Sequence, residues 1–500
     1  MNIPQKVAKE ATISMISMGM GSIFRYLFVM ILARWVGPAY LGVFSLATAI
    51  MRFAEVIAKA GLDVGILKYV SEKIGDNKND EIRGIISSSI KMGIILSIFV
   101  SIVLIIFSKW LAIGLFSSTE LLRTVLICNA IAIPFSVSMI IVASATQAFK
   151  LLKYKATVIN IFVPVINLIF LFIGLQLSNL IAISIPILFS SISGFLLISF
   201  FLQKLISVKV NDISQATFRL DILKFSYPLM FVTIIGTAMH WMDIYILGLY
   251  FDNTTVGMYH PAARTAGLLR MILVAFMGIF SPMIAELYAK NSQKELLLLY
   301  KLVIRWIMTI ALPLFLLIII FSKKVMFLFG PDYQDSHMIL SVLTISVLIQ
   351  SFIGSSGHTL SMTGYSKINF INSILVLIIN LVLNIILIPL YAGIGAAVAT
   401  LASMLFLGGI RLIQVWYLLR LQPLSFSILK PFFSSIIVYF VMINVKPFIM
   451  SFHTVITLLI AGLLIFIFFI FFLWLMGFDD DDDKHVISTL KLLLYKLKRV

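Results

Sequence analysis

Long apolar stretches recur along the whole 500-residue chain and decide which solvent it can fold in. Hydrophobic residues make up 61% of the sequence, charged residues make up only 12%, and the mean hydropathy is +1.10. A water-soluble protein of this length could not hide so much apolar surface, so the surrounding medium must be lipid. The sequence therefore predicts an all-α integral membrane protein.

About fourteen stretches reach the roughly 20 mostly apolar residues that a transmembrane helix needs. The predicted spans are residues 12–34, 40–62, 92–115, 124–147, 156–176, 180–202, 225–250, 256–281, 302–321, 336–357, 368–390, 394–419, 427–446 and 453–477. Most of the 38 Lys and Arg residues lie at one end of these spans, and Arg411–Lys430 is one such basic segment. This asymmetry predicts cytoplasmic N- and C-termini in the cell (inner or plasma) membrane, which requires an even number of spans.

Charge distribution, cysteine content and motifs exclude several classes of function. The net charge of +17 is spread through short loops rather than gathered in one patch, so no nucleic-acid partner is expected. Cys128 is the only cysteine, which excludes internal disulfides and cysteine metal sites. Nucleotide-binding, metalloprotease and serine-hydrolase motifs are missing, and no loop is long enough for a soluble catalytic domain. We therefore expect neither an enzyme nor a metal protein.

An internal repeat relates the two halves of the chain. Residues 31–47 align without a gap with residues 246–262, which places Gly42 on Gly257, and residues 155–166 align with 367–378. Both alignments pair spans of the same orientation, which predicts two pseudo-symmetric six-helix lobes plus two C-terminal helices. Transporters built in this way bind their substrate between the repeats.

The repeat also defines the predicted domains. These are an N-terminal lobe over 1–203 (spans 1–6), a C-terminal lobe over 204–424 (spans 7–12), spans 13–14 over 425–478, and a cytoplasmic amphipathic tail over 479–500. In the tail an acidic run precedes basic and apolar residues at helical spacing. This pattern is typical of an interfacial helix or of a simple topology anchor.

Five basic residues belong to neither the cytoplasmic nor the external segments and are expected at membrane depth, where each charge costs about 2.5–3.5 kcal/mol on insertion scales. They are Arg25, Arg52, Lys59, Arg264 and Arg270. Because these membrane charges are all positive, they indicate an anionic ligand. Arginine suits a diphosphate because its guanidinium group, a planar fork, donates two parallel hydrogen bonds. We therefore expect the four arginines to bind the substrate as a diphosphate clamp. The alternative is that they pair with Asp243 or with backbone carbonyls for structure alone.

A charge stripe follows Arg52 in the second span. Glu55, Lys59 and Asp63 continue from Arg52 at helical spacing, so all four share one face of a helix. Glu55 can pair with Arg52 or Lys59, and Asp63 can pair with Lys59. The stripe is either a self-neutralising ladder or a device in which Glu55 orients Arg52 toward a cavity.

His240 and Asp243 share one face of the seventh span. A buried carboxylate or imidazole is a candidate site for coupling to H⁺ or Na⁺, and it is equally compatible with a hydrogen bond between helices. The repeat aligns His240 with Arg25, so the first span of each lobe carries an ionisable group at the same depth.

Three motifs occur in order along the second half of the chain. They are Asp243 with Ile246-Leu247-Gly248 and Val256-Gly257-x-Tyr259, then Leu328-Phe329-Gly330-Pro331-Asp332-Tyr333, and then Asn380-x-x-x-Asn384 followed by the Gly- and Ala-rich segment 393–400. The ordered set resembles the polysaccharide-export (Wzx-like) flippases for lipid-linked oligosaccharides. These belong to the multidrug/oligosaccharidyl-lipid/polysaccharide exporter superfamily and are related to lipid II flippases.

The resemblance implies a fold of fourteen helices that works by alternating access. It also implies movement of a polyprenyl-diphosphate-linked oligosaccharide from the cytoplasmic to the outer leaflet, for cell-surface polysaccharide biosynthesis. Lipid II flippases carry cavity arginines on spans one, two and eight, and Arg25, Arg52 and either Arg270 or Arg264 are placed to match them. The expected partners are the lipid-linked glycan, membrane lipids and other polysaccharide-assembly proteins, and the expected protein is a monomer without a cofactor.

Two other functions remain open. A cation-coupled multidrug exporter of the same superfamily would need an acidic cavity for cationic drugs, which the excess of buried arginine does not favour. A membrane glycosyltransferase or polymerase would need a sizeable external loop with catalytic residues, and the spans leave no room for one.

Overall fold

The computed structural model describes residues 3–74, 79–422 and 426–477, and helices make up nearly all of them. In chain order the α-helices are α1 (Ile3–Lys59), α2 (Leu62–Ile74), α3 (Asn79–Lys109), α4 (Glu120–Ala148), α5 (Leu152–Thr157), α6 (Val163–Leu177), α7 (Asn179–Gln203), α8 (Val210–Gln215), α9 (Leu220–Tyr250), α10 (Asn253–Ala289), α11 (Gln293–Ile320), α12 (Ser322–Phe327), α13 (His337–Met362), α14 (Ser366–Leu419), α15 (Phe426–Ile449) and α16 (Thr454–Leu475). No strand occurs in these ranges, so the all-α prediction is confirmed. The predicted tail at 479–500 lies outside the described residues.

Twelve helical segments of the described chain are long and apolar enough to cross a membrane. Two of them are far longer than one crossing requires: Ile13–Ile74 has 62 residues and Ser366–Leu419 has 54. Each contains a residue with non-helical backbone angles, Gly37 (φ 76°, ψ 177°) and Ala392 (φ 48°, ψ −130°). Because each break divides its segment into two crossings, the twelve segments supply fourteen crossings. The predicted multi-pass membrane protein is therefore confirmed.

The two breaks differ in how the surrounding residues accommodate them. At the first, Gly37 adopts a backbone conformation that only glycine reaches without steric cost, and Pro38 follows without a backbone N–H. At the second, the two arms of α14 are joined by a pair of hydrogen bonds between Asn372 and Gln414, with lengths of 2.6 and 3.1 Å. The amide pair holds the arms together although Ala392 lies in an unfavourable region.

The helices form two compact units, which divide between His260 and Pro261 on α10. In the first unit α4 is the most buried segment and packs against α1, α3 and α7. In the second unit α13 packs against α11 and α14, and the two C-terminal helices α15 and α16 both pack against α11. The lobe boundary predicted at 203/204 rests on the sequence repeat, and it stays a prediction.

Two glycines that the sequence repeat aligns contact each other inside the first unit. A methyl group on Gly42 would lie 1.7 Å from the Asn253 carbonyl oxygen, and one on Gly257 would lie 1.9 Å from the Pro38 carbonyl oxygen. The alignment that pairs Gly42 with Gly257 also pairs Pro38 with Asn253. Such a reciprocal contact is what two copies of one element make when they meet across a two-fold axis. It supports the internal repeat, which the sequence indicated through only a few identities.

Candidate functional site

Arg25 and Arg52 lie on the two halves of α1, on either side of the break at Gly37. The Arg25 side chain is half-buried, and within residues 3–74, 79–422 and 426–477 it has neither a hydrogen bond nor an ion pair. Its charge lies close enough to that of Arg52 for the two guanidinium groups to repel each other. Two cations held together in membrane-crossing helices favour the binding of an anion.

Glu55 fixes the position of Arg52. Arg52 Nη1 donates a hydrogen bond of 2.8 Å to Glu55 Oε2, and the Arg52 side chain is 48% exposed whereas that of Glu55 is only 6% exposed. The second carboxylate oxygen of Glu55 is buried without a hydrogen-bond partner among the described residues. Of the two pairings that spacing allowed for Glu55, the structure contains the one with Arg52. The carboxylate thus orients a guanidinium whose other nitrogens stay accessible.

The lower part of the charge stripe departs from the predicted continuous helix. The chain turns at Ala60 and Gly61, which both have positive φ angles, so Asp63 belongs to α2 rather than to α1. The prediction of one unbroken helical stripe was therefore wrong beyond Lys59, because the turn changes the direction of the chain. Lys59 Nζ nevertheless donates to Asp63 Oδ2 at 2.9 Å, as the spacing predicted.

Lys155 joins this lower cluster, although the predicted spans 124–147 and 156–176 leave it in the short loop between them. It lies on α5, donates to Gln147 Oε1 at 2.7 Å, and is close enough to Lys59 and Asp63 to interact with both charges. Its only signal in the sequence was its match to Lys367 in the repeat. Spacing along one helix could not reveal a contact that involves three helices.

Asp243 on α9 accepts a hydrogen bond from the hydroxyl of Tyr259 on α10. Tyr259 is buried, and its only signal in the sequence was its place in the first of the three ordered motifs. His240 is exposed and stands edge-on to Trp241, and Trp241 also stacks with the buried His260. The structure therefore gives Asp243 a specific partner and adds a second, buried histidine to the pair that sequence spacing identified.

Arg264 and Arg270 lie on the part of α10 that belongs to the second unit, and both side chains are half-buried. Arg270 Nε donates a hydrogen bond of 2.8 Å to Gln350 Oε1 on α13, and Gln350 in turn contacts Met404 on α14. Gln350 carried no signal in the sequence, because a neutral amide inside an apolar span is compatible with many roles. It fixes the direction of the Arg270 guanidinium.

The chain matches two protein families and is similar to several curated proteins, two of which illustrate the range of identity and coverage. Residues 7–288, more than half of the chain, match the family described as "Polysaccharide biosynthesis protein", and residues 228–386 match the MatE family. The Haloferax volcanii protein named "Probable low-salt glycan biosynthesis flippase Agl15" is 29% identical over 172 residues, which span 34% of this chain and 36% of that protein. The Staphylococcus aureus capsular polysaccharide biosynthesis protein CapF is 22% identical over 77% of this chain and 93% of that protein.

A solved structure of the lipid II flippase MurJ in an inward closed conformation has a similar fold. The TM-score is 0.71 and 19% of the residues are identical, over 92% of this chain and 99% of that one. This identity shows a likeness of fold alone. Because the family match covers more than half of the sequence, the chain belongs to the family described as "Polysaccharide biosynthesis protein".

Proposed function

We propose that this protein is a flippase that moves a polyprenyl-diphosphate-linked oligosaccharide from the cytoplasmic to the outer leaflet by alternating access. Cell-surface polysaccharide biosynthesis would use the product, in keeping with the family description and the names of the relatives. One observation carries the proposal. Arg25 is half-buried in a membrane-crossing helix beside a second guanidinium, and it has no hydrogen bond or ion pair within the described residues.

The diphosphate is the part of the substrate that needs the protein most, because its charges lose their water when they enter the membrane. The Arg25 and Arg52 forks would donate paired hydrogen bonds to the phosphate oxygens, while Glu55 keeps Arg52 in place. Arg264 and Arg270, on the second unit, stay the further donors that the sequence predicts. The sugars would cross in hydrated space and the polyprenyl tail would stay in lipid.

The orientation of the chain in the membrane is part of the proposal. Most Lys and Arg residues lie at one end of the crossings, which supports cytoplasmic N- and C-termini. An even number of crossings is consistent with both termini on the same side. In this orientation α10, α13 and α14 all end at the cytoplasmic surface.

Translocation in proteoliposomes that contain only the purified protein tests this function. A polyprenyl-diphosphate oligosaccharide with a labelled sugar is incorporated, and a glycosidase outside the vesicles reports the fraction that becomes accessible. We expect protein-dependent movement of this lipid and none of a matched lipid whose sugar is joined to the polyprenol without phosphate. Equal movement of both lipids, or of neither, would contradict a diphosphate-specific flippase.

We also propose that Asp243 couples transport to H⁺ or Na⁺. Replacing Asp243 with Asn keeps the size of the side chain but removes the charge that would bind the cation, so we expect transport to slow about tenfold and lose its dependence on both ions. The measurement is the initial transport rate in vesicles with an imposed pH or Na⁺ gradient.

Tyr259→Phe is the matched variant for Asp243→Asn, because it removes the hydrogen bond and leaves the carboxylate. We expect Tyr259→Phe to keep the dependence on the ion gradient while it lowers the rate only modestly. If both variants keep that dependence and lose thermal stability to the same extent, Asp243 is a structural residue.

A cation-coupled multidrug exporter is the second candidate, and the match of residues 228–386 to the MatE family favours it. Such an exporter would remove cationic dyes from cells and from vesicles with an imposed ion gradient. Two results together would support the multidrug exporter over the flippase. The protein would transport dye equally well with Arg25→Ala, and it would not move the diphosphate lipid.

A further inference from the structure

Arg411 is a half-buried basic residue that the proposed diphosphate clamp does not use. It lies on α14 about two turns before the helix ends at Leu419, although the sequence grouped it with the basic cytoplasmic segment 411–430. Its Nε is buried without a hydrogen-bond partner, and the guanidinium has no ion pair in the described part of the chain. A charge left in this state within a membrane-crossing helix is costly, and such residues usually line the path of a ligand.

Residues of α13 lie next to this guanidinium, and one of them contacts α10. A methyl group on Gly357 of α13 would lie 2.9 Å from Arg411 Cζ and 3.0 Å from Nη1, so the glycine provides the space that the guanidinium occupies. The next residue, His358, is exposed and close enough to interact with the Arg411 charge. His358 Nδ1 lies 3.4 Å from the hydroxyl oxygen of Ser281 on α10. The three helices thus bring a guanidinium, an imidazole and a hydroxyl together.

These groups form the second of two polar layers on the same three helices. The first layer consists of Arg270, Gln350 and Met404 on α10, α13 and α14. The second layer consists of Ser281, His358 and Arg411 on the same helices in the same order. At 1.5 Å per residue, the second layer lies roughly 10–16 Å further along the helices, toward their C-terminal ends. In the proposed orientation this is the cytoplasmic side.

A purely structural role would require a partner that compensates the Arg411 charge. The negative end of the helix dipole acts mainly within the last turn, and Arg411 lies further than that from the end of α14. No carboxylate pairs with it in residues 3–74, 79–422 and 426–477. An exposed His358 beside it leaves the group open to a ligand rather than sealed in a core.

We propose that Arg411, His358 and Ser281 form a second anion-binding site, which receives the diphosphate of the lipid substrate on the cytoplasmic side before the diphosphate reaches Arg270. The inference rests on the proposed flippase function and assigns to it an entry site. Arg411 supplies the charged fork, and His358 and Ser281 supply neutral or weakly basic hydrogen-bond donors. Gly357 is a positioning residue, because the absence of a side chain there leaves the space that the Arg411 guanidinium occupies.

Binding to the full-length protein in nanodiscs tests the site, with farnesyl diphosphate, inorganic diphosphate and farnesol as separate probes. We expect wild type to bind farnesyl diphosphate much more tightly than farnesol. Arg411→Ala should weaken that binding about tenfold, which is about 1.4 kcal/mol. Gly357→Ala should weaken it by a smaller factor by displacing the fork. Arg420→Ala is the control, because Arg420 is exposed at the end of the same helix and should leave the affinity unchanged.

Combining Arg411→Ala with Arg25→Ala separates the two proposals. If each single variant keeps part of the affinity for farnesyl diphosphate and the double variant keeps none above farnesol, both sites are supported. If Arg411→Ala has wild-type affinity and the double variant equals Arg25→Ala, the second site is overturned while the flippase proposal stands. If wild type does not distinguish farnesyl diphosphate from farnesol, the flippase proposal itself fails. Inorganic diphosphate that binds as tightly as the farnesyl compound would overturn the assignment to a lipid headgroup.

Discussion

Arg25→Ala is expected to slow transport of the diphosphate-linked substrate by about two orders of magnitude while the protein remains in the membrane at its normal level. A hydrogen bond to a charged group contributes about 1.5–3 kcal/mol, so losing a two-bond fork removes about 3 kcal/mol or more and slows transport about 100-fold. The stability of the folded protein should not decrease, because the Arg25 charge has no compensating hydrogen bond or ion pair in the described chain. The melting temperature should therefore stay the same or rise. Translocation in proteoliposomes and thermal unfolding measure the two effects.

Two further variants separate the chemistry of Arg25 from its charge and from general effects. Arg25→Lys keeps the charge and loses the fork, so we expect an intermediate rate, about tenfold below wild type. Arg123→Ala is the matched control, because Arg123 is 40% exposed and pairs with Glu120 within its own helix at 3.1 Å. Normal transport by Arg25→Ala would contradict the clamp. A loss of transport that merely follows a loss of protein from the membrane would make Arg25 a structural residue.

Much of the fold could be predicted because a helix that crosses the lipid bilayer must consist mostly of apolar residues over a fixed length. Each crossing needs about 20 apolar residues, and this length alone separates most of the observed segments. The break at Gly37 falls between two predicted spans, because glycine followed by proline interrupts a helix. The break at Ala60 and Gly61 escaped prediction, because alanine at positive φ has no signal in the sequence and the pattern of charges continues past it.

The candidate site was predictable only where partners share a helix or are close in sequence. The pair Arg52–Glu55 follows from spacing, since residues three or four apart on one helix face each other, whereas Lys59–Asp63 forms across the turn at Ala60 and Gly61. Contacts between helices depend on how each helix is rotated in the bundle, and spacing contains no information on that. The roles of Gln350 and Arg411 therefore emerge only from the packing of α10, α13 and α14.

Gly42→Ala and Gly257→Ala are expected to destabilise the protein strongly. Each new methyl group would lie within 2 Å of a backbone carbonyl oxygen of the facing segment, and backbone cannot rotate away as a side chain can. Overpacking typically costs about 1–3 kcal/mol, and at least the upper end of that range applies where two helices must separate. We expect a melting temperature lowered by about 5 °C or more and less protein in the membrane. Gly267→Ala on α10 is the control, because its added methyl group meets no atom within 4 Å.

The reciprocal geometry of this contact makes a sharper prediction for the double variant. If Gly42 and Gly257 meet across one pseudo-two-fold contact, the first methyl group already separates the two helices, and the second finds the space open. The loss of stability in the double variant should then be clearly smaller than the sum of the two single losses, with a coupling free energy of about 1 kcal/mol or more. Additive losses would mean that the two glycines act at independent contacts. A Gly42→Ala protein as stable as the Gly267→Ala control would rule out the close crossing, and with it the structural support for the repeat.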